Sequence, residues 1–168
     1  ANVYAADCEN WWWGFETACS RVSTIWNEGE AGLYLTGYAW HNRSTYDQAK
    51  IDSYNEFAYG GGLGLHRDLP NNNQEMIYLI SFADSHEKPQ THAGYGYLWY
   101  WDVAGPLKAG LGWTGGLFSR SDIASYALLP FVLPLFAVKY DKVNFFGTYI
   151  PGGRNNGNVL FLFSRFDY

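Results

Sequence analysis

The sequence predicts an all-β protein, an eight-stranded antiparallel transmembrane β-barrel preceded by an N-terminal amphipathic α-helix. Three observations predict it. In Gly94-Tyr95-Gly96-Tyr97-Leu98-Trp99-Tyr100-Trp101, strand alternation puts Gly94 and Gly96 on one face with Leu98 and Tyr100. Tyr95, Tyr97, Trp99 and Trp101 share the other face. A hollow inside with an aromatic girdle outside suits a barrel wall where lipid meets water, and a soluble core strand uses neither. The asymmetry recurs: Gly60, Gly62 and Gly64 share a face, and Gly110, Gly112, Thr114 and Gly116 oppose Ala109, Leu111, Trp113 and Leu117. Finally, charged residues make up 16% of the chain and aromatics 20%, against roughly 25% charged in soluble proteins.

The elements follow in order along the 168 residues. From about Asp7 to Asn27 the pattern is helical, with Trp12, Phe15, Cys19, Val22 and Trp26 at three- or four-residue steps on one face. Trp11 and Trp13 add bulk at its start, which suits a helix lying at a membrane interface. The expected division is residues 1–30 for this helix and 31–168 for the barrel. Strands are expected near Leu33–Asp47, Ser53–Arg67, Glu75–Ser85, Thr91–Trp101, Leu107–Ser119, Leu128–Tyr140, Val143–Ile150 and Asn158–Tyr168. Turn signals separate them: Asp47-Gln48-Ala49-Lys50, Pro70-Asn71-Asn72-Asn73, Gly105-Pro106 and Gly152 to Gly157. An even count closes an antiparallel barrel. The last strand ends on aromatic Tyr168, as bacterial outer-membrane barrels commonly do. Val159, Phe161 and Phe163 give that strand an apolar inner face, which points to an enclosed hydrocarbon chain rather than a water-filled pore.

Other classes recede on composition. Net charge is −5 with no basic block, so nucleic-acid binding is not expected. The best apolar run, Tyr126 to Val138, is too short for a spanning helix and is broken by Pro130 and Pro134. Mean hydropathy is −0.25, but alternating strands escape such averages. His41, His66, His86 and His92 are scattered with no ligand spacing, so neither a metal nor another cofactor is expected. Cys8 and Cys19 would stand ~16 Å apart on one continuous helix, too far for a disulfide.

Residues that could move an acyl group are present. His41 lies near the end of the first strand, and the adjacent Asp84 and Ser85 near the end of the third. They supply a base, a charge and a hydroxyl. On a regular strand Asp84 and Ser85 face opposite ways, so they converge only where the strand has broken into loop.

Several segments, in order, carry a resemblance. Trp40-His41-Asn42-Arg43, Asp52-Ser53-Tyr54-Asn55-Glu56, Gly60 to Leu65, Ala93 to Gly96, Leu133-Pro134-Leu135, Thr148 to Gly152 and Asn155 to Val159 resemble the PagP enzymes, the lipid A palmitoyltransferases. The likeness runs from about Tyr34 to Tyr168, behind a diverged helix in the family's position. It implies an enzyme of the bacterial outer membrane that moves a palmitoyl chain from a glycerophospholipid donor to lipid A, among outer-membrane lipids, as a monomer. It implies catalytic roles for His41 as base, Asp84 as its electrostatic partner and Ser85 as hydrogen-bond donor or nucleophile. It also implies a glycine at the floor of the acyl pocket, here Gly96, so that Gly96→Met should shorten the preferred chain. Pro134 and Pro151 match one pair of prolines that opens a lateral lipid gate. The other pair would fall near Thr36 and Ala58, where this chain has none. Arg154 stands where an aromatic is usual in the last loop. Three alternatives use the same letters: a barrel deacylase or phospholipase with water as acceptor, a non-catalytic structural barrel, and a soluble lipocalin-like carrier.

Overall fold

The computed structural model describes residues 8, 9, 12, 14–123 and 125–168. Eight antiparallel strands close into a barrel in sequence order: β1 (Glu30–His41), β2 (Phe57–Asp68), β3 (Asn73–Ala83), β4 (Pro89–Ala104), β5 (Leu107–Ser119), β6 (Leu129–Tyr140), β7 (Val143–Ile150) and β8 (Val159–Asp167). Helix α1 (Phe15–Glu28) precedes them, and a short helix α2 (Gln48–Ile51) lies in the first long loop. The long connections, 42–56, 84–88, 120–128 and 151–158, all lie at one end, which we call the mouth; short turns close the other.

The expected alternation holds. Gly96, Leu98 and Tyr100 of β4 are buried inside, while Trp99 and Trp101 are about half exposed on the outer wall. Leu33, Leu63, Leu79, Leu111, Val132 and Phe145 join them in an apolar outer surface. Such a wall belongs to a membrane-spanning barrel, because only hydrocarbon spares that area from contact with water. The inner face is apolar only toward the mouth. At the other end it is filled by a polar plug in which Arg165, fully buried, donates to Gln74 Oε1 at 2.7 Å and to Asp167 Oδ1 at 2.5 Å. Asn144 donates to Asp167 at 2.9 Å and Gln74 to Asp68 at 2.7 Å, so the ion pair's remaining atoms are largely satisfied, as burial demands.

Helix α1 is shorter than the periodicity suggests. It starts at Phe15, with Gly14 at its N-terminus in the left-handed region at φ 87°. Trp11 and Trp13 lie outside the described residues. Because Cys8 precedes the helix, the continuous-helix separation does not apply, and Cys8 and Cys19 form a disulfide at a Cα–Cα distance of 5.8 Å. Ile25 is buried against the barrel, whereas Phe15, Val22 and Trp26 of the predicted apolar face are exposed. The helix is tied to the wall by charge: Arg21 reaches Glu75 at 3.2 Å, and Arg67 reaches the same carboxylate at 2.5 Å.

Candidate active site

His41 owes its inward direction to one residue. Up to Thr36 the even positions of β1 face inside, with Tyr34 and Thr36 buried and Leu33 and Leu35 exposed. A bulge at Gly37 interrupts the pairing with both β2 and β8, between Thr36 and Tyr38. An inserted residue inverts the phase of everything after it. His41, which uninterrupted alternation would turn to lipid, is buried at the mouth instead.

Strand β3 ends at Ala83, so Asp84 and Ser85 lie in loop. Asp84 folds that loop: its Oδ1 accepts the backbone N–H of His86 at 2.8 Å and of Lys88 at 3.0 Å. The local bonds free Ser85 from strand geometry. Ser85 Oγ then stands 3.1 Å from His41 Nε2.

The third partner of the imidazole is not Asp84. Glu56, in the loop after α2, places Oε1 3.0 Å from His41 Nδ1 and accepts the His41 backbone N–H at 2.9 Å. Arg43 donates to both oxygens of Glu56, with Nη2 to Oε2 at 2.7 Å, and Tyr38 donates its hydroxyl to Oε2 at 2.6 Å. The Arg43 guanidinium holds the Glu56 carboxyl well below the usual carboxylate range, with Tyr38 and His41 adding to it and burial opposing. A neutral His41 donates its Nδ1–H to the ionised Glu56, which leaves Nε2 to accept from the Ser85 hydroxyl. The ring is clamped by Tyr54 at 4.7 Å and by the edge of Tyr46 at 5.2 Å.

Asp84 is hydrogen-bonded to its own loop rather than to His41, and its Oδ2 is buried with no hydrogen-bond partner among the described residues. Of the sequence candidates, the fold therefore brings His41 and Ser85 into contact and leaves Asp84 adjacent. Glu56 is the member that residue reasoning missed. It closes the segment Asp52-Ser53-Tyr54-Asn55-Glu56, but nothing in its spacing from His41 indicates that the loop folds back.

These residues stand over a blind cavity of about 640 Å³, within the usual size of a small-ligand site. Its walls are Ile80, Phe82, Phe118, Phe131, Phe161 and other apolar groups. Its deepest lining residues are Tyr78, Thr114, Thr148 and Phe163. Tyr78 and Thr114 share a hydrogen bond of 2.5 Å across the bottom. Gly96 lies below that level and does not line the cavity. The space its missing side chain leaves is taken by Met76, whose Cε would be 2.7 Å from a Cβ there.

The barrel wall is interrupted beside the cavity. Pairing of β6 with β7 runs only from Tyr140↔Val143 to Leu135↔Thr148 and stops at Pro134, which has no N–H to give. The Thr148 hydroxyl donates to the Pro134 carbonyl instead, at 2.6 Å. Pro151 follows directly after β7. At the bulge in β1 the same device appears without proline: the Thr36 hydroxyl donates to the Ala58 carbonyl at 2.6 Å. Arg154 pairs with Asp47 at 3.1 Å, tying the last loop to the first over the mouth.

Comparison with known proteins agrees. The family model described as "Antimicrobial peptide resistance and lipid A acylation protein PagP" matches residues 21–165, from within α1 into β8. A protein of Bordetella parapertussis named "Lipid A acyltransferase PagP" is 44% identical over 98% of this chain and 90% of its own length. Proteins of the same name from Laribacter hongkongensis and Legionella pneumophila are 42% and 40% identical, over 90% and 98% of this chain and 73% and 88% of their own lengths. With one match running through all eight strands and relatives alike over nearly the whole chain, the chain belongs to the PagP family.

Proposed function

We propose that this barrel is a lipid A acyltransferase of the bacterial outer membrane, moving a palmitoyl chain from a glycerophospholipid to lipid A. The observation that carries the reading is the Ser85–His41 contact of 3.1 Å at the mouth of a blind apolar cavity. The donor's acyl chain lies in the cavity and its ester carbonyl at the mouth. His41 is the base: Nε2 takes a hydroxyl proton as the oxygen attacks the carbonyl carbon, then returns it to the departing lysophospholipid oxygen. The attacking hydroxyl is that of lipid A, with Ser85 as hydrogen-bond donor, or first that of Ser85 itself. Asp84 presents Ser85 through its loop bonds, and its unpaired Oδ2 accepts from a polar group of the incoming acceptor. Gly96 acts on the floor through Met76, giving that side chain room to lie below Tyr78.

The gap in pairing above Leu135 and Thr148, framed by Pro134 and Pro151, serves as the lateral lipid gate. The long loops face the cell surface, the usual disposition of such barrels. Within residues 1–30, helix α1 serves as the interfacial element whose Val22 and Trp26 meet lipid, and residues 31–168 serve as the catalytic barrel. A closed barrel leaves no free sheet edge, which supports a monomer.

The test is to mix detergent-purified protein with lipid A and a palmitate-bearing phospholipid and to weigh the lipid A by mass spectrometry. One added palmitoyl group that disappears with His41→Ala is expected. Free fatty acid without acylated lipid A would make the protein a hydrolase, and intact donor would leave a structural barrel.

A further inference from the structure

We infer that Glu56 is a positioning residue for the reaction, the carboxylate that fixes the tautomer of His41 and balances its charge during proton transfer. The inference rests on the acyl-transfer reading and goes beyond it, because it moves to Glu56 the role that adjacency in sequence gives to Asp84. Glu56 Oε1 takes two donors of one residue, the His41 backbone N–H and ring Nδ1. Two bonds from one oxygen fix the ring's torsion as well as its proton, since a flipped ring would lose the second. The opposite nitrogen is thereby aimed at Ser85 Oγ. Hydroxyl, imidazole and carboxylate thus form a continuous chain, which is recognised by geometry and roles rather than by sequence order.

The carboxylate is itself held. Its side chain is 10% exposed, and Arg43 and Tyr38 occupy the lone pairs that His41 leaves. Arg43 Nη1 also donates to the His41 carbonyl at 2.7 Å, so one guanidinium spans both residues. Asp84 offers none of this: one oxygen is spent on its own loop and no bond reaches the imidazole. In the proton step, Nε2 takes the hydroxyl proton while the oxygen's electron pair forms the new bond to the acyl carbon. His41 becomes an imidazolium facing a carboxylate that stays ionised. The proton then leaves Nε2 for the oxygen of the departing lysophospholipid, so ester and alcohol exchange with no net change in protons. Glu56 acts through His41 throughout and touches no substrate.

The test compares wild type, Glu56→Gln and Glu56→Asp in the lipid A assay, with thermal melts to follow the fold. Glu56→Gln is nearly isosteric and removes the charge. Its kcat is expected to fall by about 100-fold or more, with KM for the donor within about threefold, as when the carboxylate of such a chain is neutralised. Glu56→Asp keeps the charge and should retain at least about tenfold more kcat than Glu56→Gln. A Glu56→Gln kcat within about threefold of wild type overturns the inference, as does a change confined to KM. Should Glu56→Gln melt below wild type, its kcat is taken at a temperature at which circular dichroism shows both barrels folded, and the same two outcomes decide. Wild-type protein that transfers no palmitoyl group refutes the acyl-transfer reading instead, so the two failures are separable.

Discussion

Replacing Tyr78 by Ala should make the enzyme prefer longer acyl chains. Tyr78 is 8% exposed and lies across the cavity bottom, over Gly94 and bonded to Thr114. Removing its phenol leaves no orphaned hydroxyl, because Thr114 also donates to the Tyr95 carbonyl at 3.0 Å. The cost is therefore that of a cavity, about 3–5 kcal/mol for loss of a large aromatic side chain. A longer donor chain recovers part of it, since each buried methylene is worth about 0.8 kcal/mol. Two further methylenes give about 1.6 kcal/mol, or roughly a fifteen-fold shift in kcat/KM between chains two carbons apart. The assay is competition among phospholipids differing only in acyl length, with the acylated lipid A resolved by mass. An unchanged length preference in a variant that still melts as a barrel would refute the assignment of Tyr78 as the floor.

Gly96→Met should act in the opposite direction, because any side chain there meets Met76 and drives it toward Tyr78; the same competition should show a shorter optimum, with overpacking of about 1–3 kcal/mol seen in the melt. Thr36→Val removes the hydroxyl that holds the Ala58 carbonyl at the β1 bulge and should cost about 1 kcal/mol in denaturant unfolding; no measurable loss would mean that the carbonyl finds another donor. Glu56 also predicts a pH dependence. Its folded pKa is depressed, so its stabilisation is fully present above the ordinary carboxylate value of about 4.3 and is lost only as pH falls below it. The difference in stability between wild type and Glu56→Gln should be flat from neutral pH to about 5 and shrink in stronger acid; a difference changing between pH 6 and 8 would implicate another group.

What could be read from the letters was whatever repeats every second residue. The glycine faces of β2, β4 and β5 and the aromatic wall of β4 needed only alternation, and the fold bears them out. His41 shows where alternation fails. A continuous strand from Leu33 would place it with Leu33 and Leu35 toward lipid, and Gly37 carries no mark that separates a bulge from any other glycine. Glu56 was hidden for a different reason, because its contact with His41 is made by a loop that folds back through Arg43 and Tyr38. The polar plug was half visible: Arg165 and Asp167 fall on the inner set of β8 by parity. Only closure of the barrel shows that Gln74, Asn144 and Asp68 meet them. The disulfide depended on where α1 begins, and Gly14 rather than the apolar period sets that boundary.

Plug and gaps together argue for how a lipid reaches Ser85. The interior is continuous from the mouth only as far as Tyr78 and Thr114; below them Met76, Leu135 and Phe146 are buried, then Arg165 with its partners. A chain entering the cavity thus has no exit at the far end, which suits a measured bound length and excludes passage of solute along the axis. An amphiphile held in a membrane would have to leave the bilayer entirely to enter from above the loops, exposing its chains to water. Passage through the wall avoids that exposure, but a complete strand ladder forbids it. The ladder is incomplete in two places at cavity height, above Leu135↔Thr148 and beside Thr36. At each, one threonine hydroxyl satisfies a carbonyl that the ladder leaves over. A side-chain bond opens by rotating about χ1, whereas a backbone ladder opens only by separating strands. The two threonines therefore satisfy, in the closed wall, the carbonyls that the interrupted ladder leaves over. That accounts for an interruption near Thr36 and Ala58 in a chain that has no proline at either position.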